Sequence, residues 1–304
     1  MIELAPNSLR GSLPPLVTPF RDGEVDTTTY AALVDWHAGA GSHGVVVGGT
    51  TGEPSVLTVD ERKRLLDVAI EAAAGRLEVV AATGSQSHAE TVVLTEHAAA
   101  AGADAVLVVT PYYIRPPKRG LVQYFVDLAG RTDLPFLVYH IPGRAAVGVD
   151  IEVLTEIAEA APSFVGMKHA VADLGLVTES LIRFGPEFRV LVGLEELSYP
   201  MLALGATGMV NAVANVVAGR IVDLYDAVND GGFAQAREIH QSLFELNRAV
   251  FFDTNPIPVK YMMWRIGLLP SNEHRLPMAP PTPDVAARLD KVLLDAGLDF
   301  VQGG

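Results

Sequence analysis

The chain has 304 residues, 49% of them hydrophobic and 19% charged, which is the composition of a globular protein with a large buried core. Lys and Arg number 22 against 36 Asp and Glu, and the resulting net charge of −14 disfavours binding to nucleic acids or anionic membranes. The chain has no cysteine, which excludes disulfides, thiolate zinc sites and thiol nucleophiles.

The N-terminal stretch MIELAPNSLRG lacks the basic region and apolar core of a signal peptide. No apolar run reaches the roughly 18 residues that a membrane-spanning helix needs. We therefore expect a soluble, cytoplasmic protein with neither nucleic acid nor membrane as a partner.

Eight short apolar runs, separated by longer amphipathic segments, predict eight β-strands. They are LPPLVTPF (13–20), GVVVGG (44–49), EVVAATG (78–84), AVLVVTP (105–111), PFLVYHI (135–141), FVGMKHA (164–170), RVLVGLE (189–195) and GMVNAV (208–213). Near-continuous Val, Leu and Ile runs are typical of parallel strands that are covered on both faces. Between the strands the spacing is helical, and Thr58 and Glu61 form a capping-box pattern before one such segment.

Eight strand–helix units predict an α/β protein with a TIM (β/α)8 barrel. The alternative is a doubly wound sheet, but no G-x-G-x-x-G pattern follows the first strand as in its dinucleotide-binding form. After about residue 214 the pattern predicts helices, broken at Gly231-Gly232, with a last helix from about residue 283. We predict a barrel over 1–230 and a C-terminal helical segment over 231–304 packed on it.

Lys168 is the most unusual residue of the predicted strands, because an amine follows the apolar run FVGM. Working residues of a TIM barrel lie at the C-terminal ends of its strands, where Lys168 stands. An amine removed from water loses its proton more readily and can condense with a ketone to form a Schiff base. The alternative is a lysine that is paired with a buried carboxylate or that extends to solvent.

Other polar groups stand at neighbouring strand ends. The turn GGTTGE (48–53) offers backbone N–H groups and the hydroxyls of Thr50 and Thr51, which suit a carboxylate, although it could be an ordinary turn. Tyr139 is a candidate general acid and base or a packing residue. Arg144 is a candidate carboxylate ligand or a solvated charge.

Tyr112 and Tyr113 follow the fourth strand, where they could contact a ligand or a second subunit. The eight histidines show no metal-binding spacing, so we expect neither a metal nor a cofactor. His140 follows Tyr139 and His169 follows Lys168, and we expect both of these candidate catalytic residues to face the barrel interior. Strand alternation therefore turns both toward the helix layer.

In this order, these motifs resemble the dihydrodipicolinate synthase/N-acetylneuraminate lyase family of pyruvate-dependent class I aldolases. The matching stretches, from LVTPF to RLPMAP, run through nearly the whole chain, and they include GGTTGE, TPYY, YHIPGR, GMKHA and NPIPVK. The combination of GTTGE with the lysine of the sixth strand is specific. The resemblance implies a Schiff-base lyase that acts on pyruvate and an aldehyde or 2-oxo acid, assembled as a dimer or a dimer of dimers.

The resemblance also implies a role for each site residue. Lys168 would form the Schiff base with pyruvate, and Thr51 with the turn amides would hold the pyruvate carboxylate. Tyr139 would transfer protons, linked through Thr50 to Tyr113 of a neighbouring subunit. Arg144 would bind the carboxylate of aspartate semialdehyde. The remaining expected substrate-binding positions are Gly52, Gly193 and Val210.

Three positions depart from the synthases of this family. His140 stands in place of an asparagine, His169 in place of a glutamate, and Leu194 where an acidic or amide residue is usual. The leading hypothesis is still condensation of pyruvate with L-aspartate-4-semialdehyde to 4-hydroxy-tetrahydrodipicolinate. The alternatives are an aldolase or dehydratase of a 2-keto-3-deoxy sugar acid, and a non-catalytic ligand-binding relic, which retention of Lys168 and Tyr139 disfavours.

Overall fold

In the computed structural model, which describes residues 1–301, eight parallel strands form one sheet that curves into a barrel. The strands are β1 Gly11–Ser12, β2 Gly44–Val47, β3 Glu78–Ala82, β4 Ala105–Val109, β5 Phe136–His140, β6 Phe164–His169, β7 Arg189–Val192 and β8 Gly208–Met209. From β2 to β8 each strand pairs with the next along the chain, and β8 pairs with β1. The predicted TIM barrel is confirmed.

The prediction for the first strand was wrong in its bounds, because two prolines interrupt the ladder. The regular strand covers Gly11–Ser12 rather than 13–20, and the barrel closes onto β2 through a single parallel bridge between Pro15 and Val46. Val46 N–H donates to Pro14 O at 2.9 Å, and Leu16 N–H donates to Val46 O at 3.0 Å. Pro14 and Pro15 have no N–H to donate, so a continuous ladder cannot form there.

Helices follow the strands on the outside of the barrel. They are α1 Thr27–Gly39, α2 Val59–Ala73, α3 His88–Ala101, α4 Lys118–Ala129, the short α5 Pro142–Ala145, α6 Ile151–Ala160, α7 Leu174–Phe184, α8 Ser198–Ala203 and α9 Ala214–Asn229. The predicted capping box is present at α2, where the Thr58 side chain accepts from Glu61 N–H and the Glu61 side chain accepts from Thr58 N–H. These contacts satisfy two N–H groups that the first helical turn leaves unpaired.

Four further helices follow the barrel: α10 Phe233–Ser242, α11 Phe244–Ala249, α12 Ile257–Arg265 and α13 Pro283–Asp295. The Arg265 guanidinium joins α12 to α13 through Asp290, with Nε 2.8 Å from Oδ1. The boundary at residue 230 falls between α9 and α10, and the division there stays a prediction. The last three residues of the predicted segment, 302–304, lie outside the described residues.

Alternating side chains along the strands fill two separate apolar layers. In β2, Val46 belongs to the cluster inside the barrel, whereas Val45 and Val47 pack in the larger cluster between the strands and the helices. Each fully buried aliphatic side chain of this kind stabilises the fold by about 1.5–3 kcal/mol. Within residues 1–301, no helix is long and apolar enough to cross a membrane.

Candidate active site

The C-terminal ends of the strands surround a cavity of about 220 Å³. Its apolar wall consists of Val56, Leu107, Val109, Ile141 and Met278. Its polar lining residues are Thr50, Glu53, Ser55, Tyr112, Tyr139 and Arg144. Thr50, Tyr139 and Arg144 are therefore the predicted site residues that line the cavity, and the others lie next to it or elsewhere.

Lys168 is 4% exposed and lies beside Tyr139, because β5 and β6 pair in parallel with these two residues in register. Lys168 Nζ is 4.1 Å from the centroid of the Tyr139 ring. In the described part of the chain, no carboxylate oxygen lies within 4.0 Å of this amine. The arrangement differs from that of Lys260, which is also buried but lies 2.9 Å from Glu53 Oε1.

The Tyr139 hydroxyl connects the strand ends to the predicted anion-binding turn. It lies 3.2 Å from Thr50 Oγ1, within hydrogen-bonding distance. Thr50 begins a 3₁₀ turn, Thr50–Gly52, directly after β2. A phenol that is hydrogen-bonded to a second hydroxyl can pass protons to and from a group bound beside it.

The Thr50–Gly52 turn is held by its own backbone and by its neighbours. Gly52 N–H donates to Gly49 O at 2.8 Å, and Gly52 O accepts from Thr18 Oγ1 at 2.7 Å. Thr51 is buried, and its Oγ1 accepts from Asn255 Nδ2 at 3.0 Å. The first N–H groups of such a turn have no partner within it, so the backbone of Thr50 and Thr51 can bind an anion.

Arg144 lies on α5 at the rim of the cavity, directly after β5. One of its five N–H donors, at Nη2, is 3.3 Å from Asn255 O. The exposed guanidinium keeps the other donors free to bind a carboxylate from the solvent side of the cavity.

Gly193 and Val210, like Lys168, lie outside the lining of the cavity. A Cβ placed on Gly193 would lie 2.9 Å from Lys168 Cε and 2.9 Å from Ala170 Cβ, so a larger residue would displace the lysine. Val210 is buried in the apolar cluster inside the barrel, and its N–H donates to Val192 O at 2.8 Å.

The two tyrosines after β4 point in different directions. Tyr112 lines the cavity, whereas Tyr113 is 87% exposed and has a left-handed backbone with φ of 74°. Tyr113 is therefore not brought to the site of its own chain. Tyr113 and the neighbouring Ile114 are both exposed, and adjacent exposed apolar side chains are typical of surfaces that contact another molecule.

His140 and His169 face each other outside the cavity. Their Nδ1 atoms are 3.3 Å apart, and His169 Nε2 donates to Asp173 O at 2.9 Å, which leaves His169 Nδ1 to accept from His140. Burial, with the neighbouring His169, lowers the pKa of His140 to about 4, and burial also lowers the pKa of His169. Both rings are therefore neutral at pH 7.

Sequence reasoning gave no role to three residues that contact the site. Glu53 ends the GGTTGE stretch with a buried carboxylate, Asn255 contacts both Thr51 and Arg144, and Met278 closes part of the cavity. Asn255 and Met278 fall in the stretches NPIPVK and RLPMAP, but no local pattern connects them to residues 50–53. In residues 1–301, no three His, Asp or Glu side chains are grouped as ligands of a metal ion.

Comparisons with known proteins show similarity over nearly the whole chain. The model of the dihydrodipicolinate synthetase family matches residues 8–296. A Thermus thermophilus protein named 4-hydroxy-tetrahydrodipicolinate synthase is 42% identical over 290 residues, which are 95% of this chain and 97% of that protein.

Solved structures extend the likeness to the whole fold. The crystal structure of dihydrodipicolinate synthase from Aquifex aeolicus has a TM-score of 0.94 at 37% identity and covers 96% of this chain and 99% of that one. The chloride-inhibited dihydrodipicolinate synthase from Acinetobacter baumannii, solved in complex with pyruvate, has a TM-score of 0.92 at 32% identity and covers 96% of this chain and all of that one.

Proposed function

We propose a function for this chain from the premise that it belongs to the dihydrodipicolinate synthetase family, whose members are lyases of the class I aldolase type. The chain condenses pyruvate with L-aspartate-4-semialdehyde and acts as a 4-hydroxy-tetrahydrodipicolinate synthase. The observation that carries this proposal is Lys168, a buried amine with no carboxylate within 4.0 Å, in contact with the ring of a tyrosine that is hydrogen-bonded to the anion-binding turn.

Pyruvate binds with its carboxylate at Thr51 and the backbone of the Thr50–Gly52 turn. Lys168 Nζ attacks the ketone carbon, and loss of water from the carbinolamine gives an imine. The Tyr139 hydroxyl supplies the proton that leaves with this water, and Thr50, 3.2 Å away, relays protons to and from it. Loss of a methyl proton from the imine then gives the enamine, which is the carbon nucleophile.

Arg144 holds the second substrate by its carboxylate at the rim of the cavity. The enamine carbon attacks the aldehyde carbon of the semialdehyde, and the aldehyde oxygen takes up a proton to become a hydroxyl. The amino group of the semialdehyde then attacks the imine carbon. This step closes the ring and releases the free amine of Lys168.

Tyr113 acts in the site of a second subunit, so the active form is a homo-oligomer. Its exposure and its absence from the lining of its own cavity support this role. Both substrates are small metabolites, and the acidic chain acts on them in the cytoplasm.

The departures at His140 and Leu194 raise a second candidate, an aldolase or dehydratase of a 2-keto-3-deoxy sugar acid, which the lining of the cavity disfavours. His140 packs against His169 and offers the cavity no donor, and Leu194 lies outside the cavity lining. A polyhydroxylated substrate would therefore place hydroxyl groups against Val109, Ile141 and Met278, which is costly without hydrogen bonds. The small apolar cavity favours the semialdehyde.

Borohydride trapping tests the shared half of both candidates. Pyruvate with sodium borohydride should add one reduced pyruvyl unit to each chain, measured by intact mass and mapped by peptide digestion to Lys168. Lys168→Ala should lose the adduct and nearly all turnover. The matched control is an exposed lysine outside the cavity lining: Lys118→Ala should be labelled at Lys168 as the wild type is.

Labelling at Lys260, or no labelling of a folded sample, would refute the pyruvate-lyase function. A coupled assay with pyruvate and a panel of aldehydes then separates the two candidates. Turnover of L-aspartate-4-semialdehyde is the expected result, and pyruvate release from a 2-keto-3-deoxy sugar acid without such turnover would establish the second candidate.

A further inference from the structure

A buried ion pair lies behind the Thr50–Gly52 turn and has no part in the mechanism above. Lys260 Nζ is 2.9 Å from Glu53 Oε1, with the side chains 1% and 0% exposed. Removing both charges from water costs several kcal/mol each, so such a pair is often no more stabilising than two apolar side chains. Stability alone does not account for the pair, and its place beside the turn needs another explanation.

Glu53 ends the turn in a backbone conformation that its side chain does not favour. Its φ of 56° and ψ of 45° are left-handed, where a residue with a Cβ is disfavoured. Its N–H donates to Thr50 O at 3.1 Å, and its carbonyl accepts from Val56 N–H at 3.0 Å. Such a conformation persists when the surroundings hold it, and the side chain of Glu53 is held by Lys260 at Oε1 and faces His274 Nδ1 at 3.9 Å from Oε2.

Asn255 contacts the same turn at its middle residue, Thr51. Its Nδ2 donates to Thr51 Oγ1 at 3.0 Å, between two buried side chains. A hydroxyl that accepts this hydrogen bond keeps its own O–H free to donate. Asn255 therefore orients Thr51 as a donor to an anion.

Asn255 and Lys260 belong to one short stretch of chain, and Lys260 lies on α12. The hydrogen bond of Lys260 N–H to Pro256 O, at 2.9 Å, continues the helical pattern back toward Asn255. One segment thus contacts the turn at two points, Thr51 and Glu53, which are more than 200 residues away in sequence.

We propose that Asn255 and Lys260 are positioning residues, which set the Thr50–Gly52 turn for the carboxylate of the 2-oxo acid without touching the substrate. The inference rests on the proposed function, because the anion concerned is the pyruvate carboxylate. Their loss weakens the binding of pyruvate but leaves the amine of Lys168 able to form the Schiff base.

The test uses borohydride trapping over a range of pyruvate concentrations, with the intact chain. The variants are Asn255→Ala, Glu53→Gln, Lys260→Met and the double variant Glu53→Gln with Lys260→Met. The control is Asp290→Asn, which breaks the ion pair of α12 with α13, away from the turn. The measured quantities are the pyruvate concentration for half-maximal labelling and the melting temperature.

We expect Asn255→Ala and the double variant to raise the half-maximal pyruvate concentration about tenfold, as the loss of one or two oriented contacts does. At saturating pyruvate the label should still map to Lys168. Asp290→Asn should keep the wild-type concentration. Each single charge variant leaves one buried charge unpaired and should melt earlier, whereas the double variant should recover much of that stability.

The double variant separates positioning from stability. If its half-maximal pyruvate concentration returns to the wild-type value together with its melting temperature, the ion pair only stabilises the fold and the inference is overturned. An unchanged concentration in Asn255→Ala overturns the role of Asn255 in the same way. Wild-type protein that is not labelled at all refutes the proposed function, and this inference with it. If a single charge variant does not fold, Asn255→Ala and the double variant decide the outcome.

Discussion

Two buried lysines of this chain illustrate how the surroundings of a residue decide its chemistry. Lys260 is paired with Glu53, and burial lowers its pKa while the carboxylate of Glu53 opposes that shift. A charged, hydrogen-bonded amine has no free lone pair and cannot attack a ketone. Lys168 has no carboxylate within ion-pair distance and lies against the Tyr139 ring, at the strand end where we propose the covalent step.

Arg144→Ala should raise the KM for aspartate semialdehyde, or lower kcat/KM, by about tenfold or more. Charge-assisted hydrogen bonds contribute about 1.5–3 kcal/mol each, and a factor of ten corresponds to about 1.4 kcal/mol. Labelling of Lys168 by pyruvate and borohydride should change little, because the pyruvate carboxylate lies at the Thr50–Gly52 turn.

The control for this change is Arg131→Ala, which removes the same charge from a residue outside the cavity lining. Steady-state kinetics with each substrate varied in turn measure both effects. A normal KM for the semialdehyde in Arg144→Ala would show that this guanidinium is a solvated rim charge.

The pairing of β5 with β6 builds both the reactive centre and the layer behind it. Tyr139 is in register with Lys168, and His140 is in register with His169. Since side chains alternate along a strand, the first pair reaches the barrel interior and the second pair lies on the helix side. The histidine pair therefore packs between β5, β6 and the helix layer and does not line the cavity.

The buried His140 should make the fold lose stability in mild acid. Its pKa is about 4 in the folded chain, mainly because of burial, against about 6.5 for a histidine in the unfolded chain. Between these values the unfolded state binds more protons, so the free energy of unfolding falls as the pH falls from about 6.5 toward 4. The loss from this residue is about 2 kcal/mol between pH 7 and pH 5.

Urea unfolding of the wild type and of His140→Asn at pH 7 and pH 5 measures this effect. The variant should lose about 2 kcal/mol less than the wild type over that interval. Between pH 8.5 and 7.5 the two proteins should change alike, because neither state takes up a proton at residue 140. Equal losses between pH 7 and 5 would contradict a buried, neutral imidazole.

At the scale of the whole molecule, the active site is assembled from parts of the chain that are distant in sequence. The stretch from Asn255 to Met278 contacts the turn after β2, Arg144 after β5 and the wall of the cavity. Tyr113 does not join these residues within one chain, and its contribution to a neighbouring subunit stays a prediction.

Subunit complementation tests whether Tyr113 acts across an interface. Lys168→Ala and Tyr113→Phe should each be nearly inactive alone. In a hybrid oligomer, the Tyr113→Phe subunit keeps its own Lys168 and receives an intact Tyr113 from the Lys168→Ala subunit. Coexpression should therefore restore turnover well above the sum of the two variants.

The matched control pairs Lys168→Ala with Tyr139→Phe. Tyr139 belongs to the same chain as the lysine that it contacts, so no hybrid site is intact and no turnover should return. Tyr113→Phe that is fully active by itself, or hybrids without restored turnover, would contradict a role for Tyr113 in a neighbouring site.

Seven of the eight strands, the helical spacing between them and the motifs of the site were predictable from local pattern. A buried strand needs consecutive apolar residues, and an amine at its end is visible in the same seven letters, FVGMKHA. The bounds of the first strand were not predictable from this pattern. The apolar run predicts a continuous ladder, but Pro14 and Pro15 reduce the pairing with β2 to one bridge.

The sequence by itself determined the barrel and the candidate lysine, because hydrophobic periodicity and turn chemistry act between residues close in the chain. Only the tertiary structure decided which buried lysine is paired. Glu53 and Lys260 are 207 residues apart, and their contact depends on where the closed barrel places α12. The hydrogen bond between Asn255 and Thr51 likewise depends on the tertiary structure. The residues near a polar side chain in the sequence do not indicate which distant residue will be its hydrogen-bond partner.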